Sequence, residues 1–253
     1  FKGSKITRSP LNCQKVCWAI VFFILAGAFF GLGFHTYIAF RIAPVILIPI
    51  FTIEFVRYWP TLKNRWRQRL SFKNFFKNIY LKDGWWGWDI FILTSILVFL
   101  PLGLYFVHNP HDFLGRSSQV SVFASPEPLK TLLSGAGKTL GQFIFRGDSN
   151  WRHNLAASPQ IFWPLIPFFW LGFLYSFWQI ISFKNYREKN FPALTAFFTL
   201  ITWWIAMLLP AIMTNEGLPH ALRTIGAIPP TYIFVSLGLI TTWNWLNAFF
   251  SFK

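Results

Sequence analysis

Six long apolar runs dominate the chain, at Val16 to Phe34, Ile38 to Trp59, Trp85 to Val107, Ile161 to Ile181, Pro192 to Thr214 and Ala227 to Phe249. Crossing the roughly 30 Å hydrocarbon core of a bilayer takes about 20 predominantly apolar residues as a helix, which satisfies its own backbone hydrogen bonds. The pattern therefore predicts an all-α fold, a polytopic transmembrane helical bundle of six spans forming a single transmembrane domain over residues 1–253. The first two runs are nearly contiguous, which predicts a tight helical hairpin. Pro44 and Pro49 in the second run, and Pro164 and Pro167 in the fourth, predict kinks.

Two polar stretches break this pattern. "RLSFKNFFKNIY" (69–80) reads equally as a short basic amphipathic helix on the membrane interface or as a solvated loop with aromatic anchors. His108 to Gln160 is the one soluble-looking segment, about fifty residues long. Within it "PLKTLLSGAGKTLGQFIF" sets Leu129, Leu132, Leu133, Leu140, Phe143 and Ile144 near helical spacing, which predicts an amphipathic surface helix. "SGAGKT" imitates a phosphate loop, but the leading glycine of that motif is Leu132 here, so a nucleotide site is not expected.

Composition agrees with the hydropathy. The chain is 54% hydrophobic, 21% aromatic and only 12% charged, against about a quarter charged in soluble domains. Its net charge of +15 comes from 23 Lys and Arg against 8 Asp and Glu. Sixteen of those bases fall in the N-terminal tail, the loops after the second and fourth runs, and Lys253. Such an excess marks the cytoplasmic side. The charge is thus a topology signal and an attraction to anionic membrane lipids, and no nucleic acid partner is expected. Cys13 and Cys17 are too few for a disulfide framework and read as free thiols.

On this topology all five histidines, His35, His108, His111, His153 and His220, lie on the extracytoplasmic face or its boundary. Four clusters share that face: "GFHTYIAFR" at the first hairpin tip, "HNPHDFLGRSSQ", "GDSNWRHN" and "NEGLPHALR". A guanidinium presents a fork of donors matched to phosphate oxygens, so arginines beside histidines at headgroup level point to an anionic ligand. Snorkelling or pairing with an acid, as of Arg223 with Glu216, is the alternative use of such an arginine. "HNPHD" offers His108, His111 and Asp112 to a divalent metal, but no strong metal spacing such as HExxH occurs, and neither a metal nor another cofactor is expected. Trp151 sits inside a polar cluster, where its face could stack on a sugar ring or anchor the loop.

Taken in order, "GLGFHTYIAFRIAP", "NPHDFLGRSSQVSVF", "GDSNWRHN" and "EGLPHALRTIGAIPP" resemble the later half of membrane glycosyltransferases of the dolichyl-phosphate-mannose-protein mannosyltransferase type. These enzymes have the C-type glycosyltransferase fold and are related to the lipid A aminoarabinose transferases. The resemblance implies transfer of a sugar from a polyprenyl-phosphate donor to a protein or glycolipid acceptor at the outer face of a prokaryotic cell membrane. It also implies an acidic general base in the first outer loop, whereas "GFHTYIAFR" holds no Asp or Glu. With Phe1 in place of a starting Met, the chain is expected to be the C-terminal part of a larger enzyme whose missing N-terminal spans carry the base.

A departing phosphate gains negative charge, and fixed donors around it lower the barrier. His35, Tyr37, Arg41, Arg116, His220 and Arg223 are the candidates for that donor-phosphate cradle. His108, His111, Asp112, Asp148, Trp151, Arg152, His153, Asn154 and Glu216 are the candidates for orienting sugar or acceptor. The rival readings are a transporter subunit and a non-catalytic subunit that binds lipid phosphate. Transporters concentrate polar groups near the bilayer midplane and carry internal repeats, and neither is found here.

Overall fold

A computed structural model describes residues 13–67, 86–182 and 191–251. The stretch 69–80 lies outside these, as does the side chain of Cys13; Cys17 is an exposed free thiol. Among the described residues all long elements are helices: α1 (Cys13–Gly33), α2 (Leu47–Arg67), α3 (Trp86–His108), α4 (Pro110–Gln119), α5 (Pro128–Gly141), α6 (Ile166–Ile181), α7 (Phe191–Ile212) and α8 (Ile228–Ser251). Six helical segments are long and apolar enough to span a membrane. Their large apolar side chains remain exposed along much of their length, including Phe22, Phe29, Ile48, Leu93, Leu174 and Trp243. This is the surface of a multi-pass protein solvated by lipid.

The predicted proline kinks take a different form. Pro44 lies in a 3-10 segment, Ile38–Ile46, and Pro49 in the first turn of α2. Pro164 lies in a 3-10 turn, Trp163–Leu165, and Pro167 at the start of α6. A proline at a helix start gives up an N–H that has no intrahelical partner anyway, so Pro49 and Pro167 fit where α-helix begins, while Pro44 lies inside the 3-10 segment that precedes α2. The last span likewise opens with a 3-10 segment, Ala221–Ala227, before α8.

The chain forms two compact units. In the first, comprising Phe1–Ile38 and Thr61–Pro110, α1 packs on α3 through small residues. A Cβ on Gly27 would meet the Phe91 carbonyl oxygen at 2.5 Å, and one on Gly31 would meet that of Ser95 at 2.7 Å. Without lipid-phase hydrophobic drive, helices associate where such residues let backbones approach. Ser95 Oγ fastens the contact by donating to the carbonyls of Phe91 (2.7 Å) and Gly27 (3.1 Å).

The second unit, Ala39–Pro60 with His111–Lys253, is centred on α6, α7 and α8. Phe169, Phe173, Trp204 and Phe234 form one aromatic cluster with ring centroids 5.3–6.4 Å apart. Trp204 donates its indole N–H to Thr231 Oγ1 at 3.0 Å, and that hydroxyl donates to the Ala227 carbonyl at 2.7 Å. Thr231→Val is expected to cost about 1 kcal/mol, the range of interhelical side-chain hydrogen bonds in membranes, because the buried indole N–H is left unpaired. Unfolding in mixed micelles, followed by helical circular dichroism, measures the difference.

The amphipathic helix predicted in the long loop is α5, with Leu129, Leu133 and Leu140 exposed. It stops at Gly141, short of two positions in the expected stripe. Phe143 instead turns inward, 2% exposed, and packs its ring 5.8 Å from Trp204. Burial against the aromatic cluster outweighs continuation of the helix. Val122 N and Asn215 N, donating to Met213 O and Val120 O at 2.9 Å each, tie the stretch before α5 to the end of α7.

Candidate functional site

Backbone pairing carries the loop after α5 out and back. Gln160 N and Ile161 N donate to Gln142 O and Phe143 O at 3.0 Å each, and nearer the tip Ala157 N donates to Asp148 O at 2.8 Å. Fully buried Phe143 and Ile161 anchor its base. Gly147 is required because a Cβ there would collide with the Ser158 carbonyl and the Asn154 amide. At the tip, Asp148 Oδ1 accepts from Asn150 N at 2.8 Å, and Asn150 Oδ1 accepts from Arg152 N at 3.1 Å. These side-chain turns, typical of Asp and Asn, swing His153 back so that its Nδ1 lies 2.9 Å from Asp148 Oδ2.

The same carboxylate oxygen reaches the start of the last span. Ala221 N donates to Asp148 Oδ2 at 3.0 Å, where His220, the residue at the cap position, makes no capping bond of its own. Asp148 thus caps that 3-10 segment from 73 residues away, the role an N-cap side chain usually plays locally. His220 Nδ1 lies 3.9 Å from Oδ2, and the His153 and His220 rings stack with centroids 4.7 Å apart and 21° between planes.

Burial alone would raise the Asp148 pKa. Hydrogen bonds from Asn150 N, His153 and Ala221 N, with the charge interaction of His153, outweigh it and hold the carboxyl below its ordinary value. His220 moves down as well, through burial first, then the positive charges of Arg223 and His153, with Asp148 offsetting them only in part. The cluster accordingly favours an ionised carboxylate and a neutral His220.

Arg223 is fixed beside this cluster. Its Nη1 donates to Thr214 Oγ1 and to the Glu216 carbonyl, both at 2.8 Å. The chain from Glu216 to Arg223 turns through Gly217 (φ +64°) and a cis Leu218–Pro219 bond. An open cavity of about 590 Å³ borders it, lined among others by Lys130, Lys138, Asn215 and Glu216.

Of the candidates for the phosphate cradle, His220 and Arg223 are brought together. Arg41 donates to the Phe113 carbonyl and stacks 4.3 Å above the Phe113 ring. Arg116 belongs to α4, and its side chain lies outside the described residues. His35 and Tyr37 belong to the first unit, where His35 Nε2 bonds the Val98 carbonyl at 3.0 Å.

Among the orienting candidates, Asp148 and His153 join His220. Asn154 holds the loop by donating to Ser158 O at 2.6 Å, Trp151 is 78% exposed, and Glu216 contributes its carbonyl to Arg223. Arg152 is exposed, its backbone N–H bonded to Asn150. His108 lies in the first unit and bonds Leu104 O at 2.8 Å, while His111 and Asp112 lie exposed at the start of α4.

Sequence reasoning passed over Asn150, Thr214 and the Ala221 N–H. "DSN", with two turn-forming residues two apart, was a usable signal for Asn150. Nothing local announced Thr214 or Ala221.

The fold and site together define an all-α, multi-pass membrane protein in which a buried Asp148 and two half-buried histidines join a polar loop to the span that opens at Ala221. Comparison with protein families, with curated proteins and with solved structures finds no match.

Proposed function

We propose that this chain is a membrane glycosyltransferase, or its C-terminal part, that moves a sugar from a polyprenyl-phosphate donor to an acceptor at the extracytoplasmic face. The observation that carries the reading is Arg223. Its guanidinium is oriented by Thr214 and Glu216 at the start of the last span, and both bonds use Nη1. A phosphate carried on a lipid sits at that headgroup level, and the remaining guanidinium N–H groups suit its oxygens.

In the proposed reaction the acceptor hydroxyl oxygen bonds to the anomeric carbon as the bond from that carbon to the phosphate oxygen breaks. The polyprenyl phosphate leaves with the bonding pair, and Arg223 stabilises its growing charge. The acceptor proton passes to a base that the first hairpin tip does not supply. The cavity beside Glu216, with Lys130 and Lys138 on its wall, offers room for donor or acceptor.

The absence of an acid from that tip, and the commitment of Asp148 to three hydrogen bonds, favour one second reading, a non-catalytic subunit that binds lipid phosphate. Arg223→Ala is expected to weaken polyprenyl phosphate binding roughly 10- to 100-fold, the scale of one or two charge-assisted hydrogen bonds. Native mass spectrometry of the chain in nanodiscs reads this, and unchanged affinity would refute both readings. Binding without transfer of labelled sugar to any acceptor would leave the non-catalytic one.

A further inference from the structure

We propose that Asp148, His153 and His220 form a binding site for one divalent transition-metal ion of the zinc type. The inference is independent of the glycosyltransferase reading. It rests on the convergence of three donor atoms from two distant stretches of chain. One ligand atom from each residue falls within 4.8 Å of the others. His153 Nδ1 and His220 Nδ1 lie 2.9 Å and 3.9 Å from the same carboxylate oxygen. Metal bonds of about 2.0–2.1 Å in a tetrahedron put neighbouring ligand atoms roughly 3.3 Å apart, between those two distances. Shifts of about half an ångström would bring both nitrogens to that spacing from the carboxylate oxygen.

A second observation points the same way. His220 Nδ1 is buried and has no hydrogen-bond partner among the described residues, although a buried imidazole nitrogen is costly to leave unmatched. The ring stack brings both Nδ1 atoms near Oδ2, and on binding the two rings would turn out of it so that their in-plane lone pairs converge on the ion. An ion placed among the three atoms would take up the His220 lone pair. It would also displace the proton between His153 Nδ1 and Asp148, which is released to solvent and leaves a neutral imidazole with its proton on Nε2.

The surroundings are those of a supported site. Asn150 N and Ala221 N hold the Asp148 carboxylate in place, as outer hydrogen bonds orient metal ligands generally. Two imidazoles and one carboxylate select a transition ion over magnesium or calcium, which prefer oxygen donors. Three protein ligands leave a fourth position for water or an anion. The ion would also clip the loop tip to the last span.

The test uses the full 253-residue chain, tag-free in detergent and carrying Cys13→Ser and Cys17→Ser so that no thiol competes. After removal of metals with a chelator, Co²⁺ titration should give the visible bands of a four-coordinate nitrogen and oxygen site. Zn²⁺ should be retained at about one equivalent after desalting and should raise the melting temperature by several degrees. His153→Gln combined with His220→Gln should abolish the retained equivalent while preserving the helical circular dichroism. If the chelated parent chain binds no Co²⁺ at micromolar concentration, the site does not exist. Full retention of Zn²⁺ by the double variant would overturn the ligand assignment, and the parent titration stands even if that variant fails to fold.

Discussion

Asp148→Ala is expected to destabilise the second unit by about 3 kcal/mol, the scale of breaking a buried hydrogen-bonded charge cluster. The side chain is 8% exposed, and its loss removes the acceptor for Asn150 N, Ala221 N and His153 together. Ala221 N and His153 Nδ1 would then lose the partner they have. Asp148→Asn should cost less, because one carbonyl oxygen remains to accept, but its amide must then face at least one of the donors. Unfolding of chelator-treated protein in mixed micelles isolates the hydrogen-bond contribution from any bound ion. A loss below about 1 kcal/mol for the alanine variant would mean that the loop and last span are held by their apolar anchors, Phe143 and Ile161, and not by the carboxylate.

The second large effect is expected at Gly172. A Cβ there would fall on the Phe234 carbonyl, and one on Gly238 would fall on the Phe168 carbonyl. Each glycine is thus pressed to the backbone of the opposite helix, and α6 and α8 meet at the distance that only glycine allows. Gly172→Val must drive them apart and loosen Phe169, Phe173 and Phe234 at once. The expected cost is about 3 kcal/mol, the upper range for overpacking a dense core. Gly137, with nothing within 4 Å of the added atom, is the matched control in a helix interior. Gly137→Ala should gain about 0.5–1 kcal/mol from helix propensity. If both variants unfold alike, close approach is not what holds this helix pair.

The spans were legible because their apolar length is dictated by the bilayer and is written in consecutive residues. Their ends were less so. The last one begins at Ala221 as a 3-10 segment, where Arg223 interrupts the hydropathy but a carboxylate from elsewhere caps the turn. The glycine contacts followed from spacing that can be seen only after the partner helix is known, as with Gly27 and Gly31 against α3. For the site, the polar clusters were visible, but their grouping was not. His153 and His220 were assigned to separate walls, and the structure stacks them on one carboxylate. Local turns at Asp148 and Asn150 decide where His153 points, and the cis Leu218–Pro219 bond lies just before His220. Neither arrangement leaves a periodicity to read.

The long reach of Asp148 also imposes an order on biosynthesis. Asn150 and His153 leave the ribosome almost with it, but Ala221 follows 73 residues later. At about 5–20 residues per second that is roughly 4–15 s of translation. Throughout this interval two more spans must be inserted while the loop is held only by its own turn. The carboxylate finds its third donor only when the span that opens at Ala221 begins to emerge. Closure of the cluster therefore waits for both intervening spans, and until Ala221 is made Asp148 has only the donors of its own loop.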